Sequence, residues 1–206
     1  MIRLSKLLIS ANFVAVLCLA GVGSAMAGSM TCPGTEDITD REATLADALD
    51  CTYGEGNAGA AEVDAFAGSS GWFIVGELEE ESGSGGFSQG LITINITTGE
   101  WGDSVVGGTW SLPSGFWDTH SRAIISIHVG NGGGSPDHFL FEIDPGIPLE
   151  RFISGTWSID GSCCGGGGLS NFKLWVQEVP EPTTLLLFGA GLIGLGLCRR
   201  RMKAKA

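Results

Sequence analysis

The chain has 206 residues, 43% of them hydrophobic, with 34 glycines, six cysteines and a formal net charge of −12. The charge is uneven: positions 28–179 hold 22 acidic and four basic residues, a net −18, while two cations precede that stretch and five follow it. Such a field repels phosphate backbones and excludes nucleic-acid binding, and the apolar content excludes a wholly disordered chain.

Positions 1–27 read as a secretory signal peptide. Arg3 and Lys6 form the charged start, an apolar run covers 7–22, and Ala25 and Ala27 supply the small residues of a cleavage site for signal peptidase. Cleavage after Ala27 leaves 28–178 as one exported domain, long enough to bury a sizeable core. Cys18 and Cys198 fall in apolar terminal segments, so Cys32, Cys51, Cys163 and Cys164 are the candidates for disulfides in an oxidising compartment. Four cysteines allow three pairings. Cys32–Cys51 is favoured and leaves Cys163 beside Cys164; the others staple the N-terminal region to the late Gly-rich loop.

Within the exported domain, Thr39, Asp40, Arg41 and Glu42 open a short helical pattern, with Leu45, Ala48 and Leu49 at compatible spacing and an end near Cys51. Positions 53–70 are Gly/Ala-rich and read as a loop with a frayed strand. Seven short β-like runs follow, at 71–78, 91–98, 105–112, 122–129, 138–144, 153–159 and 169–177, with an acidic Gly/Ser turn at 79–86. The clearest alternates Ile92, Ile94 and Ile96 with Thr93, Asn95 and Thr97; the last alternates Phe172, Leu174 and Val176 with Lys173, Trp175 and Gln177. Without long helices between the runs a parallel sheet is disfavoured. The expected fold is all-β: an antiparallel β-sandwich or jelly-roll-like ectodomain with a short N-terminal helix. Gly108-Thr109-Trp110-Ser111 recurs as Gly155-Thr156-Trp157-Ser158, which predicts two equivalent strand starts with each Trp covering the core.

The last 28 residues, 179–206, form a tail of three parts. Pro180, Glu181 and Pro182 make a rigid extended triplet; 183–198 carries no charge; and Arg199, Arg200, Arg201, Lys203 and Lys205 close the chain. As a helix the 16-residue run spans roughly 24 Å, a marginal transmembrane helix against a ~30 Å hydrocarbon core. The arginine cluster is a cytoplasmic stop. In this order the three parts resemble the PEP-CTERM tail of bacterial exported proteins. The resemblance implies recognition at Pro180-Glu181-Pro182 by an exosortase, a membrane-embedded processing enzyme. It further implies a transient hold in the inner membrane and delivery to the cell surface or the extracellular space. The two GTWS segments followed by Leu169-Ser170-Asn171 also resemble an ectodomain pattern recurrent in such proteins, with Asn171 standing where that pattern has histidine.

The residues that could carry chemistry are few. His120, His128 and His138 are the only histidines, and none lies beside a nucleophile motif. His128 and His138 flank one loop, with Asp137 and Glu142 near them in sequence, and read as exposed strand residues. Carboxylates are plentiful, among them Glu79, Glu80, Glu81 and Asp118, but nothing sets two at a glycosidase separation. The expectation is therefore no enzyme, no catalytic residue and no cofactor, with calcium on surface acids such as Glu36, Asp37 and Asp40 the nearest to an exception. Of six tryptophans, Trp110 and Trp157 are assigned to the core, while Trp101 and Trp117, in turns, are the candidate glycan contacts. The leading expectation is a surface or matrix protein associated with exopolysaccharide or biofilm; the alternative is a secreted carbohydrate-binding module or carbohydrate-active enzyme.

Overall fold

A computed structural model describes residues 28–33, 40–79, 81–130, 134–146, 151–161, 167–179 and 193. Eleven strands and two short helices follow one another among these residues: β1 Ser29–Cys32, β2 Glu42–Ala46, β3 Ala48–Gly54, α1 Ala60–Ala67, β4 Phe73–Glu79, β5 Gly83–Gln89, β6 Ile92–Trp101, β7 Val105–Ser111, α2 Phe116–Thr119, β8 His120–Gly130, β9 His138–Ile143, β10 Ser154–Asp160 and β11 Gly168–Glu178. They form two antiparallel sheets, ordered β1-β2-β10-β7-β6-β5 and β3-β9-β8-β11-β4. The architecture is the all-β antiparallel sandwich that the alternating runs predict. Each of the seven expected runs overlaps a strand: β4 and β6 to β11.

The period of two builds the core directly. Ile92, Ile94 and Ile96 of β6 are buried together with Phe172, Leu174 and Val176 of β11, and with Ala123, Ile125, Ile127 and Val129 of β8. Each such aliphatic side chain contributes roughly 1.5–3 kcal/mol when fully buried. The outer face of the second sheet has its own cover. Val63 of α1, Ala58 and Trp72 pack on Ile124, Leu140 and Trp175, the outward residues of β8, β9 and β11. Trp175 is thus buried although it alternates out of the main core.

The tetrapeptide repeat has a structural meaning. β7 and β10 pair antiparallel so that Gly155 lies opposite Trp110 and Trp157 opposite Gly108, with Thr109 facing Thr156. Gly155 makes room for the Trp110 indole, whereas Gly108 makes room for the β6 backbone, where a Cβ would stand 1.8 Å from the Asn95 carbonyl oxygen. A Cβ on Gly155 would stand 2.7 Å from Trp110 Nε1. Trp110 and Trp157 are 0% and 2% exposed, as expected for core residues.

Three expectations are corrected. The helical pattern at 39–51 is a pair of strands, β2 and β3, joined at Asp47, whose φ of 61° ends any helical run. Arg41, Ala43 and Leu45 are all buried, a period of two that the spacing of Leu45 and Leu49 concealed. β2 forms because β1 and β10 flank it and satisfy its backbone, overriding local preference. The short helix instead lies at Ala60–Ala67, where a loop was expected, capped by the Glu62 carboxylate on the Gly59 amide at 3.0 Å and ended by left-handed Gly68. The segment 79–86, read as a turn, contains most of β5, a Gly-rich edge strand with no charge.

The cysteine pairing favoured by the sequence is present: Cys32 and Cys51 form a disulfide with Cα atoms 6.2 Å apart. It ties edge strand β1 of one sheet to edge strand β3 of the other. Cys163 and Cys164 lie outside the described residues, as do the signal peptide with Ala25 and Ala27, the triplet Pro180, Glu181 and Pro182, and the cluster Arg199, Arg200 and Arg201. Among the described residues no helix is long and apolar enough to cross a membrane, and the span expected at 183–198 is outside them except for Ile193.

Register fixes the two ends of the sandwich. Trp101, Val105, Gly130, Asp160 and Gly168 gather at one end. At the other, Ser29 pairs with Ala46, and Glu178 pairs with His120. Val179 follows there, its amide donating to the Thr119 carbonyl at 3.2 Å. Gly28 and Val179, the two ends of the folded domain, therefore both stand opposite the Trp101 end.

Candidate functional site

The end carrying Trp101 holds a cleft of about 310 Å³ lined by Glu81, Trp101, Gly102, Gly130, Gly168, Leu169 and Ser170. Four separate chain segments supply it: the β4–β5 connection, the β6–β7 turn, the end of β8 and the start of β11. The β6–β7 turn is locked from within. The Asp103 carboxylate accepts the Glu100 amide at 2.8 Å, and the Asp103 amide donates to the Glu100 carbonyl at 3.0 Å. Gly102 turns with φ 92°, a left-handed value that favours glycine. β11 then docks on this turn, with the Leu169 amide donating to the Asp103 carbonyl at 3.2 Å. Gly168 packs backbone to backbone against Gly102, so a Cβ there would lie 1.5 Å from the Gly102 carbonyl oxygen. Three glycines thus line the cleft with main chain, beside Trp101, whose ring is held edge to face against Phe87 at 5.7 Å between centroids.

Trp101 is half-buried and lines the cleft, so the residue singled out from the sequence does border a concave surface. Trp117 is corrected. It is 4% exposed, its Nε1 donates to the Phe152 carbonyl at 2.7 Å and its ring meets Phe116 edge-on at 4.9 Å, because α2 turns it under the domain rather than out. The glycines, Ser170 and Glu81 join Trp101 only through sheet register; no local signal in the sequence marks the glycines as a floor. Glu79 turns elsewhere, 3.7 Å from Lys173 Nζ, while Glu80 lies outside the described residues.

The histidine pair is also placed. His128 and His138 face each other across β8 and β9, but His138 is 4% exposed rather than an exposed strand residue. Its Nδ1–H donates to the Gly56 carbonyl at 3.0 Å. Burial pushes the His128 imidazole below its usual range, against the opposing pull of Asp137, and its Nδ1 has no hydrogen-bond partner among the described residues. Glu142 is not part of that pair; it grips Arg122 through two hydrogen bonds at 2.7 and 2.9 Å. Asp137 accepts the Gly56 amide and the buried Arg41 guanidinium, both at 2.8 Å, which together hold its carboxyl below the ordinary aspartate value. Asn171, where the ectodomain pattern has histidine, is 5% exposed between His128 and Glu79 in register. Among the described residues no group of three or more His, Cys, Asp or Glu is arranged to hold a metal ion; Glu36 and Asp37 fall outside them.

The fold and cleft define an antiparallel β-sandwich domain with a concave site at one end and both chain junctions at the other. The particular class comes from the tail. A family signature described as the PEP-CTERM protein-sorting motif matches residues 178–201. The chain carries a PEP-CTERM sorting tail, and that motif implies export, sorting to the cell surface and an exosortase as processing partner. No curated protein matches the chain. No solved structure matches it.

Proposed function

We propose that this chain is a non-enzymatic cell-surface or extracellular-matrix protein whose sandwich associates with exopolysaccharide once the tail has delivered it. The observation that carries this reading is the polarity of the domain. Gly28 and Val179 leave from one end, and the Trp101 cleft opens at the other. A chain held in the membrane through its tail then presents the cleft away from the bilayer. The 11 residues of β11 separate the two ends by about 36 Å at ~3.3 Å per residue. Intact-mass analysis of the protein recovered from cells and from medium tests the delivery half. The expected masses correspond to cuts after Ala27 and near Pro180-Glu181-Pro182. Deleting 180–206 is expected to abolish the second cut and redistribute the protein. Unchanged processing and location after that deletion would refute the reading.

A secreted carbohydrate-binding module is the second reading, favoured by the same cleft: an indole wall over a main-chain floor suits the flat apolar face of a sugar ring. The two readings differ in destination. Glycan binding by protein found only free in the medium favours the second.

A further inference from the structure

We propose that the Trp101 cleft selects saccharides bearing free amino groups over neutral and acidic ones. This rests on the glycan-associated reading above and assigns its ligand class. The argument is electrostatic and geometric. Among the described residues the one charged residue lining the cleft is Glu81, which shares it with Trp101, three glycines, Leu169 and Ser170. A carboxylate and a π-face on one small concave surface both attract an ammonium group. A uronate carboxylate there meets repulsion from Glu81 and from a domain of net −18.

The cations that could offset that repulsion are engaged elsewhere. Between positions 28 and 179 they are Arg41, Arg122, Arg151 and Lys173. Arg41 is fully buried and bound to Asp137, Arg122 is clamped by Glu142, and Lys173 lies 2.5 Å from Glu77. Arg151 donates to the Trp117 carbonyl at 3.1 Å, at the opposite end of the sandwich. None of the four lines the cleft. The pyranose ring stacks on Trp101, its hydroxyls reach Ser170 and the exposed main chain, and its ammonium group faces Glu81.

The test uses the full chain purified in detergent, titrated calorimetrically with three hexasaccharides: β-1,4-linked glucosamine, the same chain fully N-acetylated, and a hexa-uronate. The expected order is glucosamine first by about tenfold or more over the acetylated chain, with no measurable uronate binding. Glu81→Gln should remove the preference while leaving acetylated-chain binding in place. Trp101→Ala should lose both, and Trp101→Phe, which keeps an aromatic ring beside Phe87, should retain part of each. Equal binding of the amino and acetylated chains, both lost in Trp101→Ala, overturns the amine inference and leaves the glycan reading standing. Glucosamine binding unchanged in Glu81→Gln and in Trp101→Ala means diffuse attraction to the acidic surface and overturns the inference. No binding of any hexasaccharide removes both the inference and the glycan reading.

Discussion

At the scale of single residues, the interior is set by what glycine omits and what one buried charge demands. Gly155 gives its space to the Trp110 indole, which is fully enclosed and cannot retreat. Gly155→Ala is therefore expected to destabilise the domain by about 1–3 kcal/mol, the cost of overpacking, measurable by urea unfolding. Arg41 is fully buried and forms an ion pair with Asp137 at 2.8 Å. Asp137→Ala should cost about 3 kcal/mol by removing a carboxylate bound to a buried cation.

The same neighbourhood sets the pH response. In the fold the Asp137 carboxyl lies below its reference of 3.8, held there by the Gly56 amide and then by Arg41. Its contribution is complete above pH 3.8 and fades as pH falls through the folded value. His128 is lowered from 6.5 by burial, so the unfolded chain takes up protons first and stability begins to fall once pH drops below about 6.5. Unfolding free energy plotted against pH should show both declines. His128→Gln should remove the upper one and Asp137→Ala the lower.

At the scale of elements, edges and turns decide what local pattern leaves open. β1 has only four residues and pairs with β2 alone, yet its Cys32 reaches across to β3 through the disulfide. Closing a loop with 19 residues of sequence separation stabilises by about 3 kcal/mol in the chain-entropy view. Cys51→Ala, or reduction of the native protein, should lower the unfolding free energy by about that amount. A loss well under 1 kcal/mol would show that the sheet edges hold without the link. The β2–β3 turn shows why the helical reading failed. Tertiary pairing with β1 and β10 outweighs the spacing of Leu45 and Leu49, and Asp47 tolerates the left-handed turn that redirects the chain into the other sheet. β5 escaped notice for the opposite reason: GSGGFSQ has almost no pattern, and the strand exists because β6 offers it an edge.

At the scale of the whole molecule, the sandwich is a spacer with a direction. Both junctions leave from one end and the cleft opens at the other, so under the proposed function a tail-held chain leaves the cleft free. A photo-crosslinking residue in place of exposed Ser114, near the Val179 end, should capture lipid or the exosortase in cells that accumulate the unprocessed chain. The same residue in place of exposed Ser84, at the Trp101 end, should not. Equal capture from both positions would contradict the polarity.

What the sequence determined by itself is what depends on local order. The apolar and basic segments at the termini, the Pro-Glu-Pro triplet and the alternation in β6 and β11 are all readable because contiguous residues act together on a membrane, an enzyme or one sheet face. The tertiary structure decided everything that joins distant segments. Trp117 lies in a turn-like stretch and yet α2 buries it to 4% exposure at the edge of a cavity by Val179; Trp101 lies in a comparable stretch and is half-buried on the opposite cleft. Gly102 and Gly168 become one floor only because β11 starts against the β6–β7 turn, and Gly155 faces the Trp110 indole only because β7 pairs with β10. Those partners are set by sheet order, which rests on burial summed over both sheets rather than on any stretch of neighbouring residues.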